Sequence, residues 1–324
     1  MRLEPARRWE SLILVLLVGV CVWASLGVDG FANASNVSFL LLDTTEIALM
    51  ALTMTLIVVA AEIDLSVAST LGLSCAVLGR LWNAGLPIEL IMPICLLVGA
   101  ACGAVNGFLV TRLGLPSLAV TIGTLALFRG LAYVILGDQA VADLPPAYTG
   151  LATASIGPLP LTTVLVAVLA AVAAVVLHAT GVGRAIFALG SNEEAAFFAG
   201  VRVKRIKFWL FVACGVMAAL ASLVYTFRYA SARADNGTGL ELAVVAAVLL
   251  GGVSIFGGRG TLAGVLMAVL LLGVVRNALI LADVANEVLN FVTGLLLVAS
   301  VLAPNLGAVR RRRTPSPVEG NSAP

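Results

Sequence analysis

Charge is what this chain has least of. Only 11% of its 324 residues are Asp, Glu, Lys or Arg, and the mean hydropathy is +1.10, whereas soluble domains carry about a quarter charged residues. A soluble globular domain is thereby excluded. Histidine is almost missing: His178, the single one, closes an apolar run and is assigned no role. The five cysteines, Cys21, Cys75, Cys95, Cys102 and Cys214, lack metal or redox spacing and read as small core residues. Strand-like alternation is absent, which argues against an outer-membrane barrel. No Gly-x-x-x-x-Gly-Lys-Ser/Thr loop occurs, and Gly257-Gly-Arg-Gly260 lacks the lysine that would hold a phosphate, so ATP hydrolysis by that route is excluded. Gly-x-Ser-x-Gly, His-Glu-x-x-His and Asp-rich diphosphate patterns are missing too. The chain is expected to have no catalytic residues, no metal and no cofactor of its own.

What is present is apolar sequence in long runs. Stretches near 12–29, 46–61, 65–82, 88–110, 116–136, 161–179, 207–229, 240–256, 261–281 and 285–303 approach the roughly 17–25 residues a helix needs to cross a bilayer. The expected fold is an all-α polytopic transmembrane bundle of about ten spans, occupying 1–309 as one domain. Residues 310–324, Arg-rich and then Pro- and Ser-bearing, have too little apolar content to fold. Their arginines are suited to holding the last span against anionic lipid.

Basic residues suggest the orientation. With a cytoplasmic N-terminus, Arg2, Arg7, Arg8, Arg112, Arg184, Arg202, Lys204, Arg205, Lys207, Arg259 and Arg310 to Arg313 fall inside, 14 of the 19 Lys and Arg, and both termini are cytoplasmic. Arg80, Arg129, Arg228, Arg233 and Arg276 are the five that strain this topology. The outer segments 30–46 and 137–160 carry acids and no Lys or Arg. Residues 1–30 read as a signal anchor, a cleaved secretory signal being the alternative.

One polar island interrupts the apolar chain: Gly190-Ser-Asn-Glu-Glu-Ala-Ala-Phe-Phe-Ala-Gly200, followed by Val-Arg-Val-Lys-Arg-Ile-Lys207. Ser191 lies three residues before Glu194 in a capping-box arrangement, and Gly200 can end a helix in a left-handed conformation. The spacing predicts a cytoplasmic helix of about two turns, on which Ala195, Ala196 and Ala199 allow close approach. An ordinary surface helix is the alternative.

Several segments in order carry a resemblance: Glu62-Ile-Asp-Leu-Ser-Val-Ala-Ser69, Asn106-Gly-Phe-Leu-Val-Thr-Arg-Leu-Gly-Leu-Pro116, Thr121-Ile-Gly-Thr124, Gly183-Arg-Ala-Ile-Phe-Ala-Leu-Gly-Ser-Asn-Glu-Glu-Ala-Ala196 and Leu249-Leu-Gly-Gly-Val-Ser-Ile-Phe-Gly-Gly-Arg-Gly260. Over about 40–305 the chain resembles the permease subunits of bacterial ABC sugar importers of the ribose and autoinducer-2 type. The resemblance implies an inner-membrane location, a separate ATPase subunit that hydrolyses ATP, a periplasmic sugar-binding protein and a second permease subunit, alike or different. It also implies that 190–200 is similar to the coupling helix, with Gly190, Asn192, Glu193, Glu194, Ala195 and Ala196 as ATPase-docking residues. The lipid bilayer is the expected surrounding, and nucleic acid is not expected as a partner.

The family usually reads Gly-Ile-Asp-Leu-Ser, and this chain has Glu62 in the Gly position. A carboxylate at a helix centre in the membrane costs on the order of 2.5–3.5 kcal/mol, so Glu62 and Asp64 must be interfacial, cavity-facing or paired. Asp64 either caps the span beginning at Leu65 or serves transport. Asp64, Asn106, Thr121, Thr124 and Asn277 are the candidate pathway residues, since polar groups inside spans avoid lipid, although Asn and Thr also bridge helices. Arg129 and Arg276 either face the interior or snorkel. Residues 47–110 and 241–304 share an order of apolar run, break and further helix, which suggests an internal repeat. Three other readings stay open here: a branched-chain amino acid or nucleoside permease, an ion-coupled carrier, and a membrane scaffold.

Overall fold

Apolar residues on all sides of a helix leave it only two places to go, the interior of a bundle or lipid. The computed structural model, which describes residues 4–285 and positions 288, 291, 294, 295 and 298, uses both. In chain order the helices are α1 (Glu4–Gly27), α2 (Ala34–Val59), α3 (Val67–Asn83), α4 (Ile88–Leu113), α5 (Ser117–Leu136), α6 (Pro146–Thr153), α7 (Leu161–Ala179), α8 (Gly181–Ser191), α9 (Glu193–Phe198), α10 (Val203–Arg228), α11 (Leu240–Leu250) and α12 (Leu262–Leu281). A two-stranded antiparallel hairpin, β1 (Ser155–Ile156) and β2 (Leu159–Pro160), precedes α7.

Seven helices, α1, α2, α4, α5, α7, α10 and α12, are long and apolar enough to cross a membrane. α3 has 17 residues, at the lower limit for a span, and α11 has only 11, too short to span alone. The last expected span, 285–303, and the tail 310–324 lie outside the described residues apart from 285 and five scattered positions. The fold is thus an all-α polytopic bundle, and against the expected ten spans the described residues hold seven full-length helices and two short ones.

α2 is the bundle's axis, buried from Thr44 to Val59 with only Ile47 partly open. It begins at Ala34, with the Asn33 side chain accepting from Ser35 N at 3.1 Å. The expected outer segment 30–46 is therefore mostly helix. Asp43, Thr44, Thr45 and Glu46 depress local hydropathy, yet Asp43 and Glu46 pair with Arg228, Thr45 meets Thr162 and the Thr44 hydroxyl donates back to Leu40 O.

α4 packs on α10 through Gly99, Gly103 and Gly107, spaced one turn apart. A Cβ on Gly103 would lie 2.2 Å from Phe211 O, and one on Gly99 2.3 Å from Gly215 O. Only the absence of side chains lets these backbones meet, the usual device of helix pairs in lipid. Outer faces of α4, α5 and α7 expose Leu97, Phe108, Ile122, Val134, Val168 and Val172, as expected of surfaces solvated by hydrocarbon.

Two breaks interrupt the spans, at 60–66 after α2 and 251–261 after α11, and they touch: Gly258 N donates to Val59 O at 2.8 Å. Trp9 Nε1 donates to Leu250 O at 2.9 Å, holding α1 against the second break. The expected repeat gains no more than this likeness of breaks, because α2 has 26 residues and α11 has 11.

Candidate functional site

The polar island folds as two helices joined by a kink at Asn192. Asn192 takes extended backbone angles, and its side chain accepts from Ala195 N at 2.9 Å. The cap is therefore Asn192, one residue later than the expected Ser191. Ser191 is already the last residue of α8, and its hydroxyl donates to Phe187 O at 2.8 Å. α9 is six residues long, and Gly200 follows it at φ +84°, the left-handed stop that the sequence anticipates.

Gly190, Asn192, Glu193, Glu194, Ala195 and Ala196 come together here but differ in exposure. Asn192, Glu194 and Ala195 are exposed, as are the edge-to-face rings Phe197 and Phe198. Ala196 is buried beneath α9. Gly190 is buried as well, and a Cβ there would stand 1.8 Å from Val59 O and 2.5 Å from Gly258 N. The end of α8 thus presses on both breaks at once.

Glu193 lies on the same junction. Lys207 Nζ lies 2.7 Å from Glu193 Oε2 and 2.6 Å from Glu62 Oε1, so one ammonium joins α9, α10 and the first break. Glu62, the family departure, is buried and has its counter-charge. Lys207 reads in the sequence only as the end of a basic run. Its value comes from α10 carrying it beside two carboxylates.

Deeper in the first break, four expected pathway residues gather. Asp64 Oδ1 accepts from Ser66 N at 2.9 Å and Ser66 Oγ at 2.6 Å. Asn106 Nδ2 donates to Ser66 Oγ at 2.8 Å, while its buried Oδ1 has no partner among the described residues. Thr121 donates to Ser117 O at 2.9 Å, with Ile63 O at 3.3 Å, and Thr124 follows one turn on. Asp64 caps no helix at Leu65: α3 starts at Val67 with Ser66 in the flanking position, and Asp64 instead closes a turn onto Ser66. Asn277 stands apart. It exchanges amide hydrogen bonds with Asn36, at 2.8 and 3.0 Å, joining α12 to the first turn of α2.

At the far end of α10 is a second polar centre. Arg228 Nη1 lies 3.2 Å from both Glu46 oxygens, and Nη2 lies 3.0 Å from Asp43 Oδ1. Arg129 donates to Ala234 O at 2.6 Å, Asn236 O at 2.9 Å and Ala68 O at 3.2 Å. It is an internal clamp on the 229–239 loop rather than a snorkelling end group. Arg233 holds Asp235 at 2.8 Å, and this hydrogen bond keeps the Asp235 carboxyl below its ordinary pKa. Sequence reasoning marks Arg228 as an awkward charge and passes over Asp43 and Glu46. A lone arginine in an apolar run is the signal that acids should be sought on a neighbouring helix.

The comparisons agree with this architecture. The family model described as "Branched-chain amino acid transport system / permease component" matches residues 36–301. The chain is 32% identical to an autoinducer 2 import system permease protein of Photorhabdus luminescens, covering 92% of this chain and 91% of the relative. It is 34% identical to the protein so named in Klebsiella pneumoniae, over 93% of both, and 32% identical to the ribose import permease protein of Haemophilus influenzae, over 90% and 91%. No solved structure matches. With helices built for lipid, two broken spans in contact and a match over nearly the whole chain, this protein belongs to the permease-component family of bacterial ABC import systems.

Proposed function

We propose that this permease imports a monosaccharide or related small polyol, of the ribose, rhamnose or autoinducer-2 type, across the bacterial inner membrane. The observation that carries the solute class is the relatives' description as autoinducer 2 and ribose import permeases. On this reading a separate ATPase subunit hydrolyses ATP, a periplasmic binding protein delivers solute near 137–160 and 228–241, and a second permease subunit completes the assembly. The α9 side is cytoplasmic, as are both termini, and 310–324 is a basic tail beside the permease domain 1–309.

The ATPase docks on α9. Asn192, Glu194 and Ala195 offer polar and small surface, and Phe197 and Phe198 add an exposed aromatic knob that water alone would not favour. Glu193, exposed on the same surface, ties it to Lys207, and Gly190 and Ala196 are buried behind it. When the ATPases close, movement of α9 reaches the first break through Lys207 and Glu62, and movement of α8 reaches both breaks through Gly190. The breaks then repack between two states, which Asp64, Asn106, Thr121 and Thr124 border. Asn277 is a helix-bridging residue in this scheme.

Solute-dependent ATP hydrolysis in liposomes containing the permease, a partner ATPase and candidate binding proteins tests the reading. Stimulation by a loaded sugar-binding protein supports it. Stimulation by a branched-chain amino acid, or uptake driven by an ion gradient without ATP, overturns it.

A further inference from the structure

Where α10 ends, the bundle opens a cavity of about 570 Å³, walled by α2, the end of α10, the 229–239 loop, the start of α11 and Arg276 of α12. This size lies within the roughly 300–1,000 Å³ of small-molecule sites. Six charged residues line it: Asp43, Glu46 and Asp235 against Arg228, Arg233 and Arg276. Three acids meet three bases, so the cavity has no formal net charge. The acids are also spoken for, Asp43 and Glu46 by Arg228 and Asp235 by Arg233.

A cation entering such a space would shed water and find every carboxylate already paired, and an anion would find only the Arg276 guanidinium on a wall that also carries three carboxylates. A neutral molecule rich in hydroxyls sheds only hydrogen bonds, which polar walls can return. Those walls have unused groups. Among the described residues no hydrogen bond engages the Arg276 guanidinium or the Tyr225 and Tyr229 hydroxyls, and all three residues line the cavity. The two tyrosine rings stand 4.6 Å apart at the wall, with the Arg228 guanidinium 4.7 Å over Tyr229. Such rings supply an apolar face to the C–H side of a sugar while their hydroxyls remain available to its polar rim. Arg228, held by Asp43, Glu46 and the ring, keeps that wall stiff before any ligand arrives, which lowers the ordering cost of binding.

We infer that this cavity is a binding site for a neutral polyhydroxylated solute of monosaccharide size, with Tyr225, Tyr229 and Arg276 as its recognition groups. It rests on the reading of this chain as a polyol importer, for which it would be the first site met from the side of the 229–239 loop. Of the polar residues that the sequence singles out inside spans, Arg276 alone belongs to its recognition groups.

Saturation-transfer NMR on the purified permease in lipid nanodiscs, without partners, tests the site. The probes are D-ribose, L-rhamnose and erythritol as neutral polyols, with ribose 5-phosphate and leucine as charged comparators. At least one neutral polyol is expected to receive signal and both comparators none, with affinity falling roughly three- to tenfold in Arg276→Gln and in Tyr225→Phe, as for one lost hydrogen bond. Tyr225→Phe keeps the ring, so an unfolded Arg276 variant would leave the test intact. Silence from every neutral polyol, preferential binding of a charged probe, or binding indifferent to both substitutions overturns the inference. The liposome assay separates this from the larger reading: polyol-driven ATP hydrolysis with a silent cavity rejects the site alone, and hydrolysis driven by leucine rejects the importer assignment.

Discussion

Lys207 Nζ lies 2.6 Å from Glu62 Oε1, tying a helix that starts beside α9 to the break that ends α2, with Glu193 of α9 on the same ammonium at 2.7 Å. Both side chains of the inner pair are nine-tenths buried, so neither charge is solvated if the other is removed. Lys207→Met is expected to destabilise the protein by about 3–5 kcal/mol by stranding Glu62. Glu62→Gly, which removes the stranded carboxylate, should recover most of that loss in the Lys207→Met background. Thermal unfolding in nanodiscs checks this, and additive losses in the double variant would show that the two residues do not interact.

Gly190 predicts a steric failure of a different kind. The extra methyl of Gly190→Ala meets the backbone of Val59 and Gly258, neither of which is a flexible side-chain end. The segment must shift, at a cost of about 1–3 kcal/mol. Uptake should fall by more than tenfold while membrane insertion is unchanged, whereas Gly200→Asn, at an open left-handed position, should be nearly silent. Equal uptake by the two variants would contradict the role given to the α8 end.

Substitutions on the exposed side of α9 should act on the partner rather than on the fold. Glu194→Arg and Ala195→Trp are expected to abolish uptake and ATPase association while leaving stability within about the ±0.5 kcal/mol typical of surface changes. Co-purification of the ATPase with each variant is the measurement; undiminished association would remove the docking assignment.

The Arg228 centre supplies a stability test free of any assumption about transport. Arg228→Met leaves Glu46 buried beside Asp43 without a cation, for an expected loss of about 3–5 kcal/mol. Glu46→Gln added to Arg228→Met should restore part of it, since the remaining buried group is then neutral. Unfolding midpoints of the four proteins in the cycle give the coupling directly.

Hydropathy located the spans well wherever a helix faces lipid on one side, as α5, α7 and α12 do, because nothing polar interrupts the pattern. It failed at α2. Asp43 and Glu46 look like loop residues in one dimension, and only Arg228, distant in sequence, makes them affordable inside a bundle. The cap falls on Asn192 and not on Ser191 for a local version of the same reason: two capping residues stand side by side, and the choice of Asn192 depends on α8 running through Ser191. Asp64, Asn106, Thr121 and Thr124 could be selected one by one as polar residues in spans, but nothing in the sequence says that they meet while Asn277 does not.

By itself, then, the sequence determined that this protein is a multi-pass helical membrane protein and, through its ordered motifs, which family it belongs to. Those properties follow from composition and local pattern, which survive without knowledge of the fold. Tertiary structure alone decided that α8 bears on both breaks through a position with no room for a methyl group, and that Lys207 joins Glu193 to Glu62. It also decided that three acids and three arginines from α2, α10, the 229–239 loop and α12 line one cavity. Buried charges are tolerated only beside their partners, and backbones approach only where side chains are absent, so both are properties of pairs that no single stretch of sequence contains.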